Sequence, residues 1–217
     1  MITHYKKVLV LLLALLQCVY AQAQTNWKFQ ADKDGIKSYT REVPNSRIKA
    51  VKLETTFQSP LNQVVGVLLD IKNSVEWAYK TKSVTVLKQV SPTEVYYYSE
   101  INMPWPIANR DFVGHLVASQ NPDTKVVTIG GPVESGYVPV KKGLVRIEKS
   151  VGQWVLTPLN DHETKIEYSL QVDPGGSTPA WLVNLFAAEG PRHSLKNLRL
   201  QVNKPNYKNF VLPFNRN

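Results

Sequence analysis

The feature that most constrains this chain is one long helical run near its C-terminus, residues 173–202, because such a helix must bury its apolar side on something. The run opens with the segment DPGG at 173–176. Proline lacks an amide donor and glycine readily adopts positive φ, so this segment predicts the end of a strand. Ser177 or Thr178 then caps a helix whose first residue is Pro179.

The apolar positions of the run indicate what lies beneath it. Residues 180–188 are almost wholly apolar, and Leu195, Leu198 and Val202 then recur at helical spacing. Gly190-Pro191 falls within the helix, where proline removes a hydrogen bond, so we expect a kink or a break there. Because most of the preceding chain has strand periodicity, we expect the helix to cover a sheet and form the lid of a sheet-lined cavity.

The remaining chain predicts antiparallel strands and one short helix. The spacing of Leu61, Val64 and Leu68 predicts this helix, with Ser59 as its cap and Pro60 as its first residue. Hairpin-linked strands with helices on one side indicate an α+β fold, a curved antiparallel sheet wrapped around the long C-terminal helix. The predicted strands are 36–42, 48–57, 83–90, 94–103, 109–120, 125–133, 144–150, 153–158 and 164–173, with a break at Gly152.

The first 23 residues have the pattern of a cleaved signal peptide. A basic start with Lys6 and Lys7 precedes the apolar run 8–16, which is shorter than the roughly 20 residues of a membrane span. The segment AQA at 21–23 predicts cleavage after Ala23, leaving a domain at 24–204 and an extended tail at 205–217. We expect a periplasmic or secreted protein. An uncleaved anchor helix and a lipoprotein anchored through Cys18 are the alternatives.

Composition excludes several classes of chemistry. Cys18 is the only cysteine, so the mature chain has no disulfide, thiolate nucleophile or cysteine metal site. The four histidines have no metal-binding spacing, and no hydrolase or phosphate-loop motif occurs, so we expect no metal, no cofactor and no enzymatic activity. The net charge of +9 favours anionic lipid surfaces over nucleic acid in an exported protein, although solubility explains it equally well. We expect a monomer.

The segment YYYSEINMPWPIANRDFVGHLV, residues 96–117, is rich in aromatic side chains. On a strand, Tyr96, Tyr98 and Glu100 share one face, and the other carries Tyr97, Ser99 and Ile101. Either the first set forms a polar anchor inside a cavity, or Tyr97 and Ile101 face the core instead. Phe112 and Leu116 are candidate cavity walls, and Arg110 with Asp111 is predicted to form a structural ion pair.

At this point the residues resemble a known family. NRDFV at 109–113 is similar to the R-D-F-V segment of the StAR-related lipid-transfer (START) domains. The segments YVP at 137–139 and KGLVR at 142–146 resemble the family's P-x-x-K-G-x-x-R, and WVLTP at 154–158 resembles its next strand. DPGG at 173–176, with Pro179 and the following helix, resembles the entry to its last helix. DGI at 34–36 and the Trp77 region fit its N-terminal part.

The resemblance implies a helix-grip fold with an internal hydrophobic cavity, and the binding of one hydrophobic ligand, usually a lipid, under the last helix. Release of the ligand would separate that helix from a gating loop that contains Pro139, Lys142 and Gly143. Leu116 replaces a basic residue that some sterol-binding members carry, which favours another lipid over a sterol. The expected ligand contacts are Tyr96, Tyr98, Glu100, Phe112, Leu116, Phe186, Ala187 and Leu198.

Two further expectations concern partners and alternatives. Arg192, Lys196 and Arg199 form a basic stripe on the last helix that would meet an anionic membrane surface, unless it is an ordinary solvated face. The alternative functions are an enzyme of the same superfamily, a cyclase or hydrolase acting on a hydrophobic substrate, and an interaction module whose cavity has closed. An enzyme would draw its acid or base from Glu100, His115 or the tyrosines.

Overall fold

The computed structural model describes residues 27–176 and 178–215, so the predicted signal peptide, Cys18 and Ser177 lie outside the described residues. The helices are α1 (Leu61–Leu69), α2 (Ala180–Phe186), α3 (Glu189–Gln201) and α4 (Pro205–Lys208), with short 3₁₀ turns at Ile71–Glu76 and Pro213–Asn215. The strands are β1 (Lys28–Lys33), β2 (Ile36–Arg41), β3 (Ala50–Phe57), β4 (Thr81–Ser91), β5 (Glu94–Ile101), β6 (Arg110–Gln120), β7 (Val127–Pro132), β8 (Val145–Arg146), β9 (Lys149–Asn160) and β10 (Glu163–Asp173).

Nine of the strands form one antiparallel sheet in the order β1-β2-β3-β10-β9-β7-β6-β5-β4, and β8 pairs in parallel with the start of β6. The helix α3 packs on one face of this sheet, where Leu195 and Leu198 are fully buried. The helix α1 adds to the same core through Val64, Val65 and Leu68. The α+β class and the helix-grip arrangement are therefore confirmed.

Three strands differ from the sequence-based expectation. The strand predicted at 144–150 is wrong, because only Val145–Arg146 form β8 and residues 149–150 already belong to β9. The strand β1 was not predicted because most of its residues are exposed at the sheet edge, so it has no apolar alternation to detect. The predicted break at Gly152 is wrong, because β9 runs unbroken from Lys149 to Asn160. Gly152 lies where the backbone of β7 approaches closely: a Cβ at Gly130 would stand 2.2 Å from the Gly152 carbonyl oxygen. The missing side chain of Gly130 therefore permits this strand pairing.

The C-terminal run is two consecutive helices, α2 and α3, with a break at Ala187-Ala188. Pro191 explains the position, since it has no N–H to donate to the carbonyl of Ala187 four residues earlier. The break was predicted at Gly190-Pro191, which instead lies in the first turn of α3. Pro179 precedes α2 as its N-cap residue, not its first helical residue, and no side chain caps this helix.

The tail after α3 is not extended as predicted. Pro205 begins the short helix α4, and Tyr207 is buried, with its hydroxyl donating to Asp70 Oδ2 at 3.0 Å. The ring of Phe210 lies against Gly66 of α1, where an added Cβ would be only 2.8 Å away. The aromatic side chains fold the tail onto α1, because apolar surface that can reach a core is not left in water.

None of the helices within residues 27–176 and 178–215 combines the length and the hydropathy that crossing a lipid bilayer requires.

Candidate functional site

The sheet face beneath the C-terminal helices, called the inner face below, carries Tyr97, Phe112, Leu116, Trp154 and Tyr168. The strand register sets this grouping, because Tyr97 pairs with Gly114, and Leu116 packs with the core cluster under α3. The Tyr97 ring stands edge-on to Phe112, with 5.8 Å between ring centroids. A Cβ at Gly114 would lie 2.6 Å from this ring, so the glycine makes the space that Tyr97 occupies.

A row of aromatic side chains extends the inner face across strands β9 and β10. Trp154 stacks on Tyr168, with ring centroids 4.0 Å apart, and meets Trp77 edge-on at 6.1 Å. The hydroxyls of Tyr97 and Tyr168 make no hydrogen bond to any residue that the structure describes. Burial raises the pKa of Tyr97 to about 12 and raises the pKa of Tyr168 as well, so both phenols stay neutral near pH 7.

The helix α2 crosses the end of the sheet where β3 and β6 begin. Its Asn184 accepts a hydrogen bond from the Lys49 amide and donates one to the Arg47 carbonyl, both at 2.9 Å. The connection before α2 is held by Arg110, whose guanidinium donates to Pro174, Gly175 and Thr178. Although its sequence is AWLVNLF, α2 buries none of its residues.

The inner face is also incompletely covered. Side chains that a closed core would bury fully keep part of their surface accessible. They are Tyr97, Phe112, Leu116, Tyr168 and Leu170. The apolar helix α2, which buries no residue, thus follows a segment bonded to the start of β6, the strand that carries Phe112 and Leu116 on this partly open face.

The structure decides which face of β5 points inward, and it contradicts the prediction for Tyr96, Tyr98 and Glu100. All three lie on the outer face of the sheet, opposite Tyr97. Tyr96 stacks between His115 of β6 and Tyr137 of the loop after β7, at centroid distances of 4.1 and 5.0 Å. His115 in turn contacts Glu94 at 2.8 Å. The sequence left both faces open because tyrosines alternate onto each of them.

Glu100 and Tyr98 belong to an outer-face network instead of a cavity. Glu100 pairs with Lys141 at 2.8 Å and with Lys82 at 3.4 Å. The Tyr98 hydroxyl donates to Asp111 Oδ2 at 2.9 Å, and burial, followed by this bond, raises the pKa of Tyr98 to about 12. The network fastens the loop that carries Lys141 to β5.

Asp111 forms an ion pair, but not with its neighbour Arg110 as predicted. The two side chains point to opposite faces, and Arg146 grips Asp111 through two bonds of 2.8 and 3.0 Å. Burial alone would raise the pKa of Asp111, but the bonds from Arg146 and Tyr98 outweigh it and hold that pKa below its usual value. The pair is structural, because its polar atoms make hydrogen bonds to one another and to neighbouring backbone.

The predicted gating loop is attached to this pair. Arg146 donates to the carbonyls of Val138 and Pro139 at 3.1 and 3.2 Å. Lys142 is exposed, and Gly143 has a φ of +86°, a left-handed conformation that favours glycine. Movement of the loop during ligand release stays a prediction.

The helix residues of the predicted site have three different environments. Leu198 has 0% of its surface exposed and packs inside the protein core, so it is not available as a ligand contact. Ala187 packs partly buried against the core, and Phe186 is 57% exposed on α2. Of the three, only Ala187 and Phe186 keep accessible surface, and their contact with a ligand stays a prediction.

The basic stripe is not a free surface. Arg192 is buried, which contradicts the expected membrane contact for this residue. Lys196 pairs with Asp34 at 2.9 Å, and Arg199 donates to Thr55 Oγ1 at 2.9 Å. Beside Arg199 lies an open groove of about 740 Å³ between the end of α3 and strands β1 to β3, lined by polar and charged side chains as well as Phe57. This groove is separate from the aromatic inner face.

Sequence reasoning missed part of the inner face. Tyr168, Leu170 and Trp154 alternate with outer residues on β10 and β9, and this period of two was the available signal. Tyr97 was named only as the alternative to Tyr96 and Tyr98. Within the part of the chain that the structure describes, no three His, Cys, Asp or Glu side chains come together as a metal-binding group.

Comparison with known proteins now places this architecture. The family described as START domain matches residues 13–204. The chain belongs to the START domain family. It is 34% identical over 179 residues to an uncharacterised protein of Pseudomonas aeruginosa, an alignment that covers 82% of this chain and 88% of that protein.

Two more proteins resemble this START domain. The crystal structure of a STAR-related lipid transfer protein fragment from Xanthomonas axonopodis has a TM-score of 0.76 and 32% identity, covering 82% of this chain and 99% of that one. The bovine phosphatidylcholine transfer protein is 23% identical over 177 residues, which cover 79% of this chain and 82% of that protein. The family that the motifs suggested is thereby confirmed.

Proposed function

We propose that this START domain binds one lipid, or another hydrophobic molecule, between the inner face and the C-terminal helices, for lipid binding or transfer. The names of the Xanthomonas and bovine relatives support the class of ligand. Inside this chain, the support is an aromatic wall under an apolar helix.

The observation that carries the proposal is the lack of burial in α2. A helix of sequence AWLVNLF that closed an ordinary core would bury its apolar side chains, yet every residue here keeps accessible surface. Tyr97, Phe112 and Tyr168 on the sheet are incompletely covered as well. A ligand between them would supply the missing contacts, at about 0.8 kcal/mol for each CH₂ group removed from water.

The first experiment asks whether the protein carries a ligand. The mass of protein purified from its own host is measured by native mass spectrometry. Binding of a fluorescent fatty acid probe in place of any bound lipid is then measured. We expect a lipid at one copy per chain. Protein without any co-purified lipid, combined with no binding of fatty acid, phospholipid or sterol probes, would favour the closed interaction module and refute the proposal.

A pair of neighbouring substitutions locates the site. Leu116 lies on the inner face, and Val117 points outward and is 41% exposed. Leu116→Arg places a charge against the ligand and should weaken probe binding at least about tenfold, whereas Val117→Arg should leave it within about twofold. Leu116→Trp, which fills space without adding charge, should also weaken binding if the arginine variant is unstable. Equal effects of substitutions at 116 and 117 would place the ligand elsewhere.

We propose binding without catalysis. The candidate acid and base, Glu100 and His115, lie on the outer face in structural contacts. The inner-face phenols of Tyr97 and Tyr168 hold their protons at neutral pH, so neither serves as a base. Bound lipid should therefore be recovered chemically unchanged after prolonged incubation, as judged by mass spectrometry. A time-dependent product that disappears in Tyr97→Phe would support a superfamily enzyme instead.

We also propose export to the periplasm or the medium, on the pattern of residues 1–23. The mature protein should then begin at Gln24 when its N-terminus is sequenced. A mature protein that keeps Met1, or a mass that includes a lipid on Cys18, would support one of the two anchored alternatives.

A further inference from the structure

One buried cation stands out among the side chains of the C-terminal helices. Arg192 lies on the buried side of α3, together with Leu195, Leu198 and Gln201, and only 8% of its surface is exposed. Removing a guanidinium from water costs free energy unless acceptors satisfy its N–H groups. The position therefore requires partners.

Arg192 has one partner for one of its three nitrogens. Nη1 donates to Glu189 Oε1 at 2.8 Å. Nε is fully shielded from solvent, and no residue in the described part of the chain accepts from it. Nη2 likewise makes no hydrogen bond within residues 27–176 and 178–215. Nε is thus a buried donor without an acceptor among the described residues, and Nη2 on the same edge of the guanidinium keeps contact with solvent.

The same edge is in use elsewhere in this molecule. Arg146 donates from Nε and Nη2 to the two carboxylate oxygens of Asp111, at 2.8 and 3.0 Å. This two-pronged geometry fits a carboxylate or a phosphate group. Arg192 has an equivalent edge, and its acidic neighbours Asp34 and Glu189 make no hydrogen bond to the Nε and Nη2 of that edge.

The neighbouring cations on α3 are in a different situation. Lys196 has Asp34, and Arg199 has Thr55 and the Asp34 carbonyl. The second buried side-chain atom without a partner among the described residues is Trp77 Nε1, which is also a donor. The interior therefore has spare donors, and the groups that would satisfy them are acceptors.

We propose that Arg192 binds the acidic group of the ligand, a carboxylate or a phosphate, through its Nε and Nη2 edge. The ligand class is then an anionic lipid, with its charged group under α3 and its apolar part against the inner face. This inference rests on the proposed function, and it makes Arg192 the residue that determines specificity.

The test compares ligands that differ only at the acidic group. A long-chain fatty acid and its methyl ester compete at neutral pH against a neutral fluorescent sterol or acyl-ester probe, and phosphatidic acid is compared with diacylglycerol. Wild-type protein should prefer the acidic member of each pair by about tenfold or more, the range expected for a charge-assisted bidentate contact. Equal affinity for the two members of both pairs would refute the role of Arg192 and leave the proposed function intact.

Variants then assign the preference to the residue. Arg192→Gln should abolish the preference and leave methyl ester binding within about twofold, whereas Lys204→Gln, which removes a charge just after α3, should change neither. Arg192→Lys keeps the charge but loses the planar edge, so an intermediate preference is expected. A preference that persists in both Arg192 variants would refute the inference. The wild-type comparison needs no variant, so the inference stays testable if Arg192→Gln does not fold.

Two remaining outcomes separate the possible sources of failure. Inorganic phosphate alone should not displace the probe at millimolar concentration, and displacement by phosphate as effective as that by the fatty acid would assign Arg192 to a soluble anion and not to a lipid. Absence of binding by acids and esters alike in the wild type would refute the proposed function itself.

Discussion

At the scale of single residues, the inner face depends on a close contact between a tyrosine and a glycine. The Tyr97 ring lies directly over Gly114 on the neighbouring strand, so close that a Cβ at position 114 would clash with the ring. Because the strand backbone of Gly114 is ordinary, the requirement for glycine is one of space and not of conformation. The contact sets the position of the phenol ring, and with it the shape of the proposed cavity.

Gly114→Ala should therefore disturb both stability and ligand uptake. The added methyl group forces the Tyr97 ring away, and overpacking of this kind costs about 1–3 kcal/mol in the free energy of unfolding. Urea unfolding and probe titration measure the two effects. Combining Gly114→Ala with Tyr97→Ala should give a smaller loss than the sum of the single changes. Strict additivity would show that the two residues do not meet.

The buried pair of Asp111 and Arg146 predicts a response to acid. The folded protein holds the pKa of Asp111 below the unfolded value of about 3.9, so the pair stabilises the fold fully above that pH. This stabilisation is lost as the pH falls through the lower pKa of the folded state. The urea midpoint should stay nearly level between about pH 7 and pH 5 and fall below about pH 4.

Asp111→Asn isolates this effect. It should lower the free energy of unfolding at pH 7 by about 3–5 kcal/mol, because it leaves the buried Arg146 without its counter-charge. The acid-induced fall should become shallower without vanishing, since the pKa values of Glu54 and Glu100 are also lowered in the fold. An acid slope identical to that of the wild type would contradict the assignment.

At the scale of elements, the two C-terminal helices have different roles: α3 packs in the core, and α2 covers one end of the sheet. The helix α3 buries Leu195 and Leu198 in the core, whereas α2 is held at Asn184 by hydrogen bonds to the segment before β3. The break at Ala187-Ala188 separates the two, because Pro191 cannot complete the helical ladder there. We infer that α2 can move while α3 stays in place.

Asn184→Ala should release α2 selectively. The change removes both of its hydrogen bonds, so amide hydrogen exchange should rise in α2 and stay unchanged in α3, and probe dissociation should become several-fold faster. Asn203→Ala, which removes a bond to the Arg199 carbonyl at the end of α3, is the matched control. Faster exchange throughout both helices would show that they open as one unit.

At the scale of the whole molecule, one sheet and its helices have to serve both as core and as container. One end is closed by α3, α1 and the folded tail around Leu198 and Tyr207. At the end where α2 crosses the starts of β3 and β6, the apolar side chains of α2 remain incompletely buried. Stability and binding are therefore expected to be coupled through that end.

Ligand removal should lower the melting temperature. A ligand that binds only the folded state adds about 2.7 kcal/mol to the free energy of unfolding at one hundred times its dissociation constant. Delipidated protein should melt earlier and recover when a fatty acid is added. The gain in hydrogen-exchange protection should concentrate in α2, the start of α3, β5 and β6, with little change in α4. Uniform protection, or none, would contradict a site at this end.

The sequence by itself determined the order of the elements and the family. Alternation, turn residues and helical spacing are local properties of the backbone, so nearly all strands and α1 could be predicted within a few residues. Tertiary structure decided the rest. Tyrosines alternate onto both faces of β5, so hydrophobic contrast could not orient that strand, and the loop held by Arg146 covers the Tyr98 side instead. Whether Arg192 meets water or the interior likewise depends on how α3 is rotated on a distant sheet, which no local pattern encodes.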